Sequence, residues 1–254
     1  MLECDWTNDW FEEIAGFQLA IKEFRAIALD AAVGFLQTAK DPDHTTNHLF
    51  RMLKHIDSSE LSQRGFMDLA RESDHQLILK DRYDPKWPSP AERRSAPPAS
   101  LAACLQRRLD AEHLEELPPS VSETNEDWEY LANRLRRTHD FHHLVFGLPD
   151  TVAGEAVASA YYARRYRSPG ALAVMTTWIA HGLIQPAENQ LIWRCVEFGI
   201  QLAHELQISL LSVRWEEKWD QSLIAWREQL GVSRLLERSP LAEHQSQWMP
   251  AQSA

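Results

Sequence analysis

Apolar residues fall at helical spacing along nearly the whole chain. Trp10, Ile14, Phe17, Ile21, Phe24 and Ala28 alternate steps of four and three, which places one apolar stripe on a helix. Leu49, Met52, Leu53 and Ile56 repeat the pattern, and Phe66, Leu69 and the run 77–79 carry short helices to about Lys80. Residues 81–100 then interrupt it. Pro85, Pro88, Pro90, Pro97 and Pro98 are five of the chain's 13 prolines, so this stretch is expected to be a loop. Helical steps of four resume at Leu101, Leu105 and Leu109 and stop at Leu117-Pro118-Pro119, because proline cannot continue a helix. Thr124 or Asn125 can cap the next helix, which carries Trp128, Leu131 and Leu135. From there to Gly231 the pattern stays helical, with breaks at 147–150, 168–170, near Pro186 and around Ser212. Trp215, Trp219, Leu223 and Trp226 step by four, four and three and are expected on one helix face, as core anchors. No β alternation or internal repeat appears. The expected fold is an all-α, single-domain helical bundle over residues 1–254, with 240–254 as a flexible tail.

Composition narrows the function classes. With 26 Lys and Arg against 37 Asp and Glu the formal net charge is −11, which repels a phosphate backbone, so no nucleic-acid partner is expected. Glycine is scarce, at 9 of 254 residues, and neither GxGxxG nor GxxxxGK[ST] occurs, which removes the usual dinucleotide and nucleoside-triphosphate cradles. Cys4, Cys104 and Cys195 form no CxxC pair and read as free thiols. The acidic start of the chain lacks the composition of a signal or transit peptide, and a cytoplasmic location is expected. The uncharged stretch 168–187 holds two prolines, two glycines and several polar residues, which favours a buried helix over a membrane span.

Candidate chemistry concentrates in Thr138-His139-Asp140-Phe141-His142-His143. On a helix, His139 and His143 lie about 40° apart round the axis and Asp140 about 60° from His143, so the three project into one arc, while His142 points roughly 100° away. Two imidazoles and a carboxylate suit a divalent transition metal. The turn Gly147-Leu148-Pro149-Asp150 allows a second helix to return and bring Glu155 to the same point. On spacing alone, a surface helix carrying HDxxH without a metal is the commoner reading.

The order of His139-Asp140-x-x-His143, eleven further residues and Glu155, with Gly147 and Gly154 between, resembles the metal motif of the coenzyme Q biosynthesis protein 4 family. A second block, Trp219-Asp220-Gln221-Ser222-Leu223 followed by Arg227-Glu228-Gln229-Leu230-Gly231-Val232, is similar to the family's C-terminal signature WxQSLxxxRExLG. The resemblance is clearest over residues 117–232. It departs from the family at Leu117-Pro118-Pro119-Ser120-Val121, where members carry a glycine-rich LPxGT turn, and in the proline-rich stretch 81–100.

The resemblance implies work in ubiquinone biosynthesis on a polyprenylated aromatic substrate, in one of two roles. One is oxidative decarboxylation, in which the ring carboxylate at C1 gives way to a hydroxyl. The other is a non-catalytic, lipid-binding scaffold that organises the quinone-biosynthesis enzymes. It makes His139, Asp140, His143 and Glu155 ligands of one divalent metal ion, zinc or iron or another. A prenyl tail needs an apolar groove beside that site, and Leu172, Met175, Trp178, Ile179 and Leu183 are expected to line it. Arg164, Arg165 and Arg167 are expected either to meet an anionic group or the headgroups of a membrane, giving peripheral contact with its inner face, or to lie on a solvated helix end and meet its C-terminal dipole. Asp220, Arg227 and Glu228 are expected to tie their helix to its neighbours through ion pairs. Homo-oligomerisation, prenyl length and the identity of the quinone stay open.

Overall fold

Serine and threonine caps set many of the helix boundaries. Ser59, Ser89, Ser100, Thr151, Ser168 and Ser222 each accept a hydrogen bond from the backbone N–H three residues on, and a helix starts after each. The computed structural model describes residues 21–42, 46–57, 59–114 and 126–250. Its helices are α1 (Ile21–Lys40), α2 (Thr46–Asp57), α3 (Glu60–Ala70), α4 (Ser73–Asp81), α5 (Pro90–Ser95) and α6 (Leu101–Glu112), followed by α7 (Asp127–Phe146), α8 (Val152–Arg165), α9 (Pro169–Ile184), α10 (Asn189–Glu205), α11 (Leu223–Gln229) and α12 (Ser233–Leu236). Among the described residues there is no strand, only an isolated antiparallel bridge between Ser100 and Ser222, so the all-α expectation holds. Trp10, Ile14, Phe17, the 117–121 turn, Thr124 and Asn125 lie outside the described residues.

The central element is α8. Ala156, Val157, Ala158, Ala160 and Tyr161 are buried along it, and it packs between α9 and α10. Helix α7 crosses to α3 and buries Leu131, Phe141, Leu144, Val145 and Phe146. The N-terminal helices α1 and α2 lean on α9. The resulting apolar core is continuous from Met52 in α2 to Leu241 near the C-terminus.

Three expectations are corrected. Within residues 81–100, Ser89 and Glu92 form a capping box, with Ser89 N donating to Glu92 Oε2 at 2.7 Å and Glu92 N to Ser89 Oγ at 3.3 Å. Pro90 sits at the first helical position, where no N–H is needed, so part of this stretch is helix α5 rather than loop. The same stretch is fastened by Trp87, which stacks on Phe141 at 5.2 Å and 7°. Second, residues 240–250 are not a free tail. Arg107 donates to Trp248 O from Nε at 3.0 Å and Nη2 at 2.7 Å, and Gln245 Nε2 donates to Leu236 O.

Third, the tryptophans do not share one helix. Trp215 begins a 3-10 turn, Trp215–Glu217, and Ser222 caps α11 only after Trp219 has passed, although Trp215 and Trp226 still meet with centroids 5.0 Å apart. The turn is held by a buried ion pair in which Arg134 reaches Glu216 Oε1 at 3.1 Å and also donates to Leu211 O and Val213 O. With its backbone partners in place, this pair leaves little charge unsatisfied.

Candidate metal centre

A tight turn brings the two site helices together. Gly147 ends α7 in the left-handed conformation, φ +64°, and Leu148 N closes back on His143 O at 2.8 Å. Thr151 then caps α8. A Cβ at Gly154 would fall 2.0 Å from the Pro149 carbonyl oxygen, so only glycine lets the first turn of α8 approach this closely. Glu155 follows in that first turn, where the positive end of the helix dipole favours a carboxylate.

His139, His143 and Glu155 converge, with one potential ligand atom from each lying within 4.8 Å of the others. Glu155 Oε1 is 3.1 Å from His143 Nε2 and 3.6 Å from His139 Nε2, and the imidazole centroids are 4.5 Å apart. These spacings match the roughly 3.3 Å between donors around a tetrahedral cation with bonds of about 2.0 Å. His143 Nε2 is fully enclosed, and the Glu155 carboxylate 3.1 Å away is the one polar group it faces among the described residues. A buried nitrogen lone pair without a donor is satisfied by a cation in the space it faces. The charge states agree with that use. Burial, with Arg108 and His139 nearby, lowers the His143 pKa despite Glu155, so the ring is neutral. Burial pushes the Glu155 carboxyl up, but the two histidines outweigh it and hold the group well below the usual carboxylate range.

Asp140 stands apart from this cluster. Its Oδ1 accepts from Arg108 Nη1 at 2.5 Å, so of the four expected ligands the structure gathers three. Arg108, on α6, is 1% exposed and also faces Glu112 at 3.2 Å and Asp150 at 4.0 Å. Sequence reasoning missed it. The available signal was its position four residues after Cys104 and seven after Leu101, which puts a charge on the apolar stripe of α6. His142, the expected bystander, is buried as well. Its Nδ1 lies 2.9 Å from Tyr162 Oη, and the same hydroxyl lies 3.2 Å from His139 Nδ1.

From the cluster a cavity of about 470 Å³ runs between α2, α7 and α9. Its polar end holds His139, Asp140 and Glu155; its walls include Leu49, Phe50, Leu53, Phe66, Val174 and Trp178. The expected groove beside the site is therefore present, but α9 presents a different face to it. Trp178 lines it, with Gly170, Ala171 and Val174, whereas Met175 and Ile179 pack partly buried outside the lining. Leu172 and Leu183 point to solvent, 52% and 77% exposed. The three arginines also differ from expectation. Arg165 is paired with Glu72 and Asp74, Arg167 faces Glu72 at 3.7 Å, and Arg164 donates to His204 Nε2, so carboxylates of the protein already engage two of the three.

The fold and site together define an all-α bundle with a His-His-Glu cluster, a candidate cation site, at the polar end of an apolar cavity. Residues 122–235 match the model of the family described as coenzyme Q (ubiquinone) biosynthesis protein Coq4. A Botryotinia fuckeliana protein named ubiquinone biosynthesis protein coq4, mitochondrial, is 28% identical over 191 residues, covering 70% of this chain and 64% of that protein. A Rattus norvegicus homologue of the same description is 29% identical over 143 residues, covering 55% of this chain and 53% of that protein. The match thus spans about half to just under two thirds of these relatives' length. A crystal structure of a Nostoc punctiforme protein whose description assigns it to ubiquinone biosynthesis superposes with a TM-score of 0.68 at 20% identity, over 81% of this chain and 98% of that one, and shares the fold. Over residues 122–235 the chain is similar to the Coq4 family.

Proposed function

We propose that this protein works in ubiquinone biosynthesis, converting the ring carboxylate of a polyprenylated hydroxybenzoate to a hydroxyl. The observation that carries this reading is one cavity with a carboxylate-compatible cluster at one end and an apolar wall at the other. His139, His143 and Glu155 would hold a divalent cation, zinc or iron, which when bound supplies Lewis acidity toward an aromatic acid. Net, the C1–carboxylate bond breaks with loss of carbon dioxide and a C1–oxygen bond forms. Two electrons leave the substrate to dioxygen, which is reduced to hydrogen peroxide, and water supplies the new oxygen.

The chain's own residues orient and exclude. Phe50, Leu53 and Trp178 enclose the tail and keep water from the ring, and the buried Arg108 faces Asp140 and Asp150 and steadies the carboxylate-rich end of the cavity. Among the described residues no helix is long and apolar enough to cross a membrane. The exposed Leu172, Leu183 and Trp193 support peripheral membrane contact, through which a tail would be collected. Flotation with liposomes would detect it.

The test is metal content by elemental mass spectrometry, with carbon dioxide release from a prenylated 4-hydroxybenzoate under air, for the wild type, His143→Ala and Glu155→Ala. About one metal per chain, lost in both variants together with turnover, is the expected result. Bound metal and bound lipid without turnover would leave the organising scaffold as the function. A folded protein that takes up no metal would overturn the site.

A further inference from the structure

Arg136 enters the cavity three residues before His139, on the same stripe of α7 as His139, Asp140 and His143. Its Nη2 lies 3.3 Å from Oδ2 of Asp57, the last residue of α2, and its guanidinium sits 5.0 Å from the centre of the Phe50 ring. Both side chains of the pair are largely enclosed, 14% and 17% exposed, and both line the cavity. A guanidinium carries five N–H donors. One is directed at Asp57, and among the described residues no other hydrogen-bond acceptor meets this side chain. Arg136 stays short of stabilising contacts: burial lowers its pKa although Asp57 acts in the opposite sense.

For holding the wall together, apolar side chains of the same volume would serve as well as an enclosed ion pair. What an apolar pair lacks is a fixed array of donors in a dry cavity, the feature that orients a ligand within an otherwise greasy site. Arginine side chains on a helix lean toward its N-terminus, so the donors of Arg136 sit beyond the first turn before His139. The cavity therefore has two polar stations along α7, the His139–His143–Glu155 cluster and the Arg136–Asp57 pair, with apolar wall beside them.

We infer that Arg136, braced by Asp57, binds a second oxygen function of the substrate head, so that the site selects an aromatic acid carrying a ring oxygen away from its carboxylate. This rests on the proposed reading of the cavity as a prenylated-benzoate site. Asp57 fixes the guanidinium and Phe50 covers one side of it. Charge-assisted donation to a phenolic oxygen favours the oxygenated head by about 10- to 100-fold over one without it.

The experiment is calorimetric titration of the metal-loaded full chain with 3-farnesyl-4-hydroxybenzoate and with 3-farnesylbenzoate, which lacks the ring hydroxyl. The wild type is expected to prefer the hydroxylated probe by at least tenfold. Arg136→Met is expected to bind both probes as the wild type binds the deoxy probe, with its metal content unchanged. Arg136→Met with Asp57→Asn removes the unpaired carboxylate, and should behave alike if the single variant folds poorly. Equal binding of both probes by the wild type, or full discrimination kept by the variants, overturns the inference and leaves the cavity reading standing. Failure of the loaded wild type to bind either probe overturns both.

Discussion

Arg227 holds Leu144: its Nη2 donates to the Leu144 carbonyl at 2.7 Å, and its Nε to the next carbonyl, Val145, at 3.0 Å. Those carbonyls belong to the last turn of α7, whose own partners run out there. The C-terminal motif thus acts on the helix of the first motif, through backbone acceptors rather than the ion pairs expected for it. Glu228 and Asp220 are exposed. Arg227 is buried with no carboxylate beside it among the described residues, and burial lowers its pKa to about 10.

Replacing Arg227 with methionine should lower stability by about 3 kcal/mol, since two charge-assisted hydrogen bonds go and two buried carbonyls lose a donor. Arg227→Lys should recover little of it, because a single ammonium lacks the planar fork that reaches both acceptors. Urea denaturation of the three proteins decides this, and a lysine variant as stable as the wild type would argue against the fork.

Tyr162 is expected to set the tautomer of His139. One hydroxyl lies between two Nδ1 atoms and has a single proton to give. For His139 Nε2 to offer a lone pair to a cation, its Nδ1–H must donate to Tyr162, whose O–H then donates to His142. Burial raises the Tyr162 pKa well above its ordinary value and lowers that of His142 well below, so the chain stays neutral. Tyr162→Phe should weaken cation affinity by about 10- to 100-fold. Chelator competition measures the affinity and nitrogen NMR shifts report the His139 tautomer. Unchanged values in both would remove this role.

Gly154→Ala should damage the site by displacement. The new Cβ meets a backbone carbonyl at 2.0 Å, which cannot rotate away as a side chain could. A loss of about 1–3 kcal/mol or more is expected in thermal unfolding, with weakened cation uptake because Glu155 is the next residue. Normal stability with normal uptake would show that the turn tolerates a wider approach.

Asp57 gives the protein a pH dependence of defined sign. Burial is the main cause, and Arg136 opposes it, leaving the carboxyl raised from 3.8 to about 6. The folded state therefore holds this proton more tightly than the unfolded chain. Its stabilisation is complete below about pH 4 and is lost as the pH rises through 6, by roughly 3 kcal/mol at 1.36 kcal/mol per unit. Asp57→Asn should lack this loss, so the stability difference between variant and wild type should change between pH 4 and 7. A constant difference across that range would contradict the assignment.

The helices and three of the candidate ligands could be read from the chain because both depend on local spacing: His139, His143 and Glu155 are set by helical periodicity and one glycine-ended turn. Asp140 shares the same spacing, yet its carboxylate turns to Arg108, 32 residues earlier on another helix. The lining of the cavity was misread for a related reason. Every apolar position on α9 looks alike in sequence, and only the placement of α2 and α7 decides that Val174 and Trp178 face inward while Leu172 and Leu183 do not. The tryptophan spacing suggested one helix, but Ser222 starts a new one and divides the set.

The bridge between Ser100 and Ser222 has a consequence for where this molecule can be divided. Leu101 N donates to Gln221 O, and Leu223 N to Ala99 O, so the start of α6 is stitched to the start of α11. Residues 122–235 contain the converging His139, His143 and Glu155, yet Arg108, Phe50 and Asp57 lie upstream of them. A fragment trimmed to that span would carry the chemistry of the site with one side of its chamber torn away. The stretch held in common with the family is shorter than the stretch that makes a closed room.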